Sequence, residues 1–181
     1  MFDLKPPPLI IRPLKKHESP ITGHLDIIAI KKDRESCLYA GIQCINLNPN
    51  FPIMVAGAAL MLICAGYFDE GFPLMEKSIK KSLYYPWWMN MGFIFYYLHI
   101  ADYAMAYSWA EKMNSEGIFW DPLLKAATSA YLDEKELGSA YLSKLLKLKP
   151  ETPLEIRNML CSFILSEELI NILIQGLEKR V

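Results

Sequence analysis

The chain has 181 residues, with 19 Lys and Arg against 20 Asp and Glu, and a formal net charge of −1. A balance so close to neutral gives no reason to expect a polyanionic partner, because phosphate binding needs a concentrated basic face. Glycines are few, Trp, Tyr and Phe are plentiful, and strand-like alternation is scarce, so the composition leans to α-helix and the length suffices for one core or a stack of repeats.

Residues 1–20 read as an extended arm. Pro6, Pro7, Pro8 and Pro13 favour polyproline II, and Arg12, Lys15 and Lys16 keep the segment solvated. Met1 is followed by Asp3 and the proline run, so no signal peptide is expected. The run Ile21 to Lys32 fits a short helix or a strand equally well.

From there the start and stop signals are helical. Asp33 fits an N-cap for a helix from Arg34 to Leu47, which ends at Asn48-Pro49. Phe51 to Ala65 is a second helix, closed by Gly66 in the left-handed conformation. Asp69 or Glu70 opens a third, which turns Gly71, Met75, Ser78 and Ile79 inward. An aromatic hairpin follows, from Tyr84 to Met113, turning at Ala101-Asp102. Asp121-Pro122 predicts an N-cap followed by a proline at the first helical position. That helix runs to about Leu132, and its partner runs from Glu134 to Lys147. Thr152-Pro153-Leu154-Glu155 predicts a capping box. Ser166-Glu167-Glu168 opens a last helix, with Leu169, Ile170, Leu173, Ile174 and Leu177 on an oily face that suits a helix closing the end of a stack.

Two uncharged runs, Pro52 to Phe68 and Pro86 to Ala101, fall short of the roughly 20 residues that cross a bilayer, and no membrane partner is expected. Cys37, Cys44, Cys64 and Cys161 form no CxxC pair, which predicts reduced structural thiols and a cytoplasmic protein. His17, His24 and His99 stand apart from one another and from any nucleophile. No GxxxxGK[ST], GxGxxG, GxSxG or HExxH occurs. The expectation is therefore a chain that is not an enzyme, with no cofactor and no metal.

Segments of the chain overlie one another. Leu47-Asn48-Pro49 matches Leu148-Lys149-Pro150, and Cys37, Gly71, Ala106 and Gly138 recur near one period. At that place two helices cross so closely that only a small side chain fits. The set resembles the tetratricopeptide repeat, a helix-turn-helix unit of about 34 residues. One unit carries Ala59, Ala65-Gly66, Gly71, Met75 and Ser78; the next Ala101, Ala106, Ala110 and Met113; the next Ala126, Gly138, Leu142 and Pro150. Leu83 and Ile118 depart from the usual proline, and Asp133 from the usual glycine.

The resemblance implies an all-α superhelix of about three to four helical hairpins over residues 21–152, closed by a pair of capping helices over residues 153–181. The chain is also similar to the C-terminal repeat regions of bacterial class III adenylate cyclases and winged-helix transcriptional activators. That similarity rests on Asn48-Pro49-Asn50, Phe68-Asp69-Glu70-Gly71, Tyr85-Pro86-Trp87 and Asp121 to Ala127. It implies, as an alternative, a regulatory or sensory segment of such a signalling protein. In this family the first helices of the units line a concave groove. The resemblance places Leu60, Trp88, Met91, Phe95, His99, Trp120, Leu123 and Tyr131 on it. The implied function is a non-catalytic scaffold that binds an amphipathic helix or an apolar peptide of a protein partner in this groove and contacts no nucleic acid, although Trp88, Phe95 and Trp120 fit a core between the repeats equally well.

Overall fold

The computed structural model describes residues 33–179, residues 48 and 116 excepted. Among them the chain is all-α, with nine helices and no strand. They are α1 (Arg34–Leu47), α2 (Pro52–Cys64), α3 (Phe68–Lys80), α4 (Met89–His99), α5 (Tyr103–Glu111), α6 (Trp120–Tyr131), α7 (Lys135–Leu148), α8 (Thr152–Cys161) and α9 (Glu167–Glu178). The arm expected over residues 1–20 and the run Ile21 to Lys32 lie outside the described residues. No described helix is long and apolar enough to cross a membrane.

Short connections between packed helices make three antiparallel hairpins, α2/α3, α4/α5 and α6/α7, and α1 packs on α2. Contacts of α3 with α4 and of α5 with α6 stack the hairpins in chain order. The architecture is helical and repeat-like. The same turn closes the first helix of each hairpin. Gly66, Ala101 and Asp133 all take positive φ, at 87°, 59° and 58°. After each, an amide reaches back five residues: Tyr67 N donates to Leu62 O at 2.8 Å, Asp102 N to Tyr97 O at 2.9 Å and Glu134 N to Ser129 O at 3.2 Å. This is the Schellman closure, which satisfies a helix's last carbonyls. Asp133 takes the glycine place because a short polar side chain tolerates the left-handed region.

The small residues sit where the helices cross. A Cβ on Gly71 would stand 2.8 Å from Ala59 O and 2.7 Å from Ile63 Cγ1, so α3 rides directly on the backbone of α2. Cys37, Ala106 and Gly138, the corresponding residues of the other units, are likewise buried. Gly71→Ala is expected to destabilise the fold by about 1–3 kcal/mol, since a carbonyl oxygen cannot move aside as a side-chain tip does. Urea titration followed by circular dichroism measures it, and an unchanged midpoint would mean that α3 has room to shift.

Asp33 and Ser166 cap the helices they were expected to open, and Asp102 caps another. Asp33 Oδ1 accepts from Glu35 N at 3.1 Å and its other oxygen from the Ser36 hydroxyl. Asp102 Oδ1 accepts from Met105 N at 3.1 Å, and Ser166 Oγ from Leu169 N at 3.3 Å. Two expected caps do not form. The helix predicted to start at Asp121 begins earlier, at Trp120, so Asp121 lies inside the first turn and its carboxylate meets Lys125 Nζ at 2.9 Å. Pro122 still falls among the first-turn residues whose amides have no helical partner, so it costs no hydrogen bond. Thr152 is the first residue of α8 rather than its cap, and its hydroxyl donates backwards to Lys149 O at 2.6 Å. The third helix begins at Phe68, which leaves Asp69 and Glu70 in its first turn, facing the positive end of the helix.

One continuous core runs through α2, α4 and α6 and on into the tail, joining Ile63, Phe95, Leu98, Leu123, Ile164 and Leu173. The tail is therefore more than a lid on the last hairpin.

Candidate functional site

The face shared by α2, α4 and α6 is built from helices that are apolar on nearly every side. Eight of the 13 residues of α2 and eight of the 11 of α4 are buried, so each must be covered on more than the side that meets its hairpin partner. The covering comes from residues 160–177. Leu160 and Ile164 are buried, and the Phe163 ring lies 5.4 Å from the ring of Trp120. Leu165 N and Ser166 N both donate to Cys64 O, at 2.8 and 2.9 Å, pinning the connection to the last turn of α2. From there α9 runs across α4 and α6. It buries Leu169, Ile170, Leu173 and Leu177 and leaves Glu167, Glu168, Asn171 and Glu178 exposed.

Polar contacts fix where along the face α9 lies. Glu168 Oε1 is 2.7 Å from His99 Nδ1, and the His99 ring stacks on Phe68 with centroids 3.8 Å apart. The Tyr131 hydroxyl donates to Ile172 O at 2.7 Å, and the Tyr131 ring lies between Tyr103, stacked at 4.3 Å, and Lys179, whose ammonium is 4.2 Å from the ring centre. Arg157 of α8 holds the start of α9 from the other side, at 2.8 Å from Glu167 Oε2 and 2.6 Å from Asn171 Oδ1. Gly176 makes the closest approach. A Cβ there would stand 2.6 Å from Ala127 O and 3.1 Å from Ala127 Cα, so α9 crosses α6 backbone to backbone.

Each residue predicted to line a groove can now be placed. Leu60, Met91, Phe95, Trp120 and Leu123 are buried in the common core. Trp88 is half-buried against that core, and its neighbour Trp87 likewise. His99 and Tyr131 are half-buried and hold α9 directly. Phe95 meets Trp120 edge-on at 6.3 Å, and Trp120 passes the contact to Phe163. Of the predicted residues, Trp120, His99 and Tyr131 meet the chain's own tail directly. The sequence signal for this was Gly176, set between Leu173 and Leu177 in the oily stripe. A glycine inside an apolar stripe marks a helix that rides on another backbone, as Gly71 does.

The buried thiols Cys37 and Cys64 offer little nucleophilic chemistry. Burial, with Asp33 adding repulsion, pushes Cys37 up to about 11, and complete burial pushes Cys64 well above the ordinary thiol range. Tyr131 is raised by burial and then by Tyr103, which keeps its hydroxyl protonated as the donor to Ile172. These groups are acids whose neutral form the fold favours. Their stabilising contribution is complete below the unfolded pKa, near 8.5–10, and is lost as pH rises from there towards the folded values. The melting temperature, followed by circular dichroism, is expected to fall steadily from pH 8.5 to pH 11. A flat profile over that window would contradict the burial of these groups.

No group of three or more His, Cys, Asp or Glu is gathered in a metal-binding arrangement among the described residues. No protein-family profile, no curated protein and no solved structure matches the chain.

Proposed function

We propose that the chain is a non-catalytic interaction scaffold of the tetratricopeptide type, working in the cytoplasm, whose α2/α4/α6 face receives an amphipathic helix. The observation that supports this is α9 itself. It is an amphipathic helix lying across first helices rather than beside the last hairpin, through four apolar side chains, one glycine crossing and a hydroxyl-to-carbonyl bond. A face that takes one such helix has the shape and chemistry to take another with the same order of residues. In the chain alone, the tether over residues 162–166 gives α9 a high effective concentration, so a partner helix has to outbind a local competitor.

The test uses the full chain and a synthetic peptide of residues 164–179. In the wild type the site is filled, and the labelled peptide should bind weakly or not at all. In Gly176→Leu, which pushes α9 off Ala127, the peptide should bind saturably, read by fluorescence anisotropy, with far-ultraviolet helicity largely kept. Absence of peptide binding to a Gly176→Leu chain that remains helical would remove the reading of this face as a helix receptor.

A further inference from the structure

The hairpins alternate in direction, so the connectors fall on two opposite edges of the array. Residues 65–67, 100–102 and 132–134 lie on one edge; residues 49–51, 81–88, 112–115, 117–119 and 149–151 lie on the other. The edges differ in charge. The first gathers Asp69, Glu70, Asp102, Asp133, Glu134 and Glu136, at or near the starts of α3, α5 and α7. The second gathers Lys77, Lys80 and Lys81 at the end of α3, Lys112 after α5, and Lys147 and Lys149 at the end of α7.

Helix dipoles account for that segregation, since acids suit helix starts and bases suit helix ends. They do not account for what stands among the lysines. Leu83 is 89% exposed and Tyr84 90%, in the connector between α3 and α4, and Leu154 in the first turn of α8 is 90% exposed. Leu47 and Phe51, on either side of the α1/α2 connector, are 77% and 55% exposed. On the acidic edge the large apolar side chains reach far less into solvent, with Ile100 at 48% and Leu137 at 37%. Carboxylates also stand on this edge, Glu155 exposed among them, and several are paired. That pairing engages Lys80 and Lys149 as well, and leaves Lys77, Lys81, Lys112 and Lys147 as its lysines outside ion pairs among the described residues. Glu76 pairs with Lys80 at 3.3 Å, Asp121 with Lys125 at 2.9 Å and Glu151 with Lys149 at 3.4 Å, while Glu111 accepts from the Tyr141 hydroxyl at 2.9 Å.

We propose that this edge is a docking surface for an anionic phospholipid bilayer, with the Leu83-Tyr84 tip inserted at the headgroup level and the lysines lying on the phosphates. The apolar tips come from separate connectors and form no groove, so a rigid partner would need a matching pit for each. A bilayer interface deforms to receive separate tips, takes tyrosine with its ring in and its hydroxyl out, and attracts lysines on flexible stems. This is contact with a membrane surface, distinct from crossing it, and it leaves the α2/α4/α6 face free for its own role.

The experiment is flotation of the full-length chain with vesicles of phosphatidylcholine alone and of phosphatidylcholine mixed with phosphatidylglycerol. The wild type should float with the mixed vesicles and not with the neutral ones. Raising the salt until the Debye length falls to about 3 Å should release it. Leu83→Ser with Tyr84→Ser removes side chains that touch little else, and should weaken binding roughly tenfold or more while leaving the melting temperature unchanged. Lys77→Glu with Lys81→Glu should weaken binding to the mixed vesicles at least as much. Three outcomes would overturn the proposal: no flotation of the wild type, equal flotation with neutral vesicles, or full binding by the Leu83/Tyr84 variant. Self-association that this variant abolishes, without flotation of the wild type, would assign the edge to a second copy instead and also overturn it.

Discussion

Phe95→Ala is expected to cost about 3–5 kcal/mol, the usual loss when a buried phenylalanine is truncated and its surroundings collapse only in part. The side chain is 0% exposed, at the centre of the core shared by the hairpins and the tail, with Trp120 edge-on at 6.3 Å. Against a total stability of 5–15 kcal/mol for a typical domain, a loss of that size is enough to unfold a fraction of the chain at physiological temperature. It should appear as a shift of the whole urea transition at unchanged slope. A midpoint within error of the wild type, with loss only of partner binding, would return Phe95 to the surface of an open groove.

Gly176→Leu is expected to act on one contact and to be read in two ways. No rotamer places a leucine where a bare Cβ already stands 2.6 Å from Ala127 O, so α9 must lift or leave. Lifting alone costs about 1–3 kcal/mol, and at roughly 2–4 °C per kcal/mol for a chain of this size the melting temperature should fall by several degrees. Leaving uncovers Leu123, Ala127 and Phe95, and should give a rise in fluorescence of an apolar dye that the wild type lacks. Gly176→Ala should show the same changes more weakly. A Gly176→Leu chain with wild-type melting temperature and no dye response would mean that α9 does not lie on α6.

The repeat architecture was legible because its signals are local. Gly66 and Asp133 sit at turns that demand a positive φ, and Gly71 at a crossing that admits no side chain. The hairpin turn at Ala101 was read from Asp102, yet the strained residue is the alanine before it, for which composition gives no warning. The two misread caps share a cause. Asp121 and Thr152 each stand at the right distance before a proline, but the preceding turn had already wound into the helix, and their side chains found Lys125 and Lys149 O instead. Of the residues read as groove lining, Phe95 and Trp120 meet edge-on in the core, and His99 and Tyr131 hold α9. The position of the tail was not legible. An amphipathic tail reads the same whether it caps the last hairpin or runs back across α6 and α4, because the choice is made by contacts distant in sequence: Cys64 with Leu165, His99 with Glu168 and Ala127 with Gly176.

Hydrogen exchange of the α9 amides, residues 170–177, compared with those of α4, residues 93–98, tests most directly whether the tail is part of the shared core. If α9 fills the face of the first helices, its amides should exchange nearly as slowly as those of α4, with protection that collapses in Gly176→Leu while α4 keeps most of its own. Exchange of the wild-type α9 amides at the rate of a free peptide, beside a protected α4, would show a tail that does not dock.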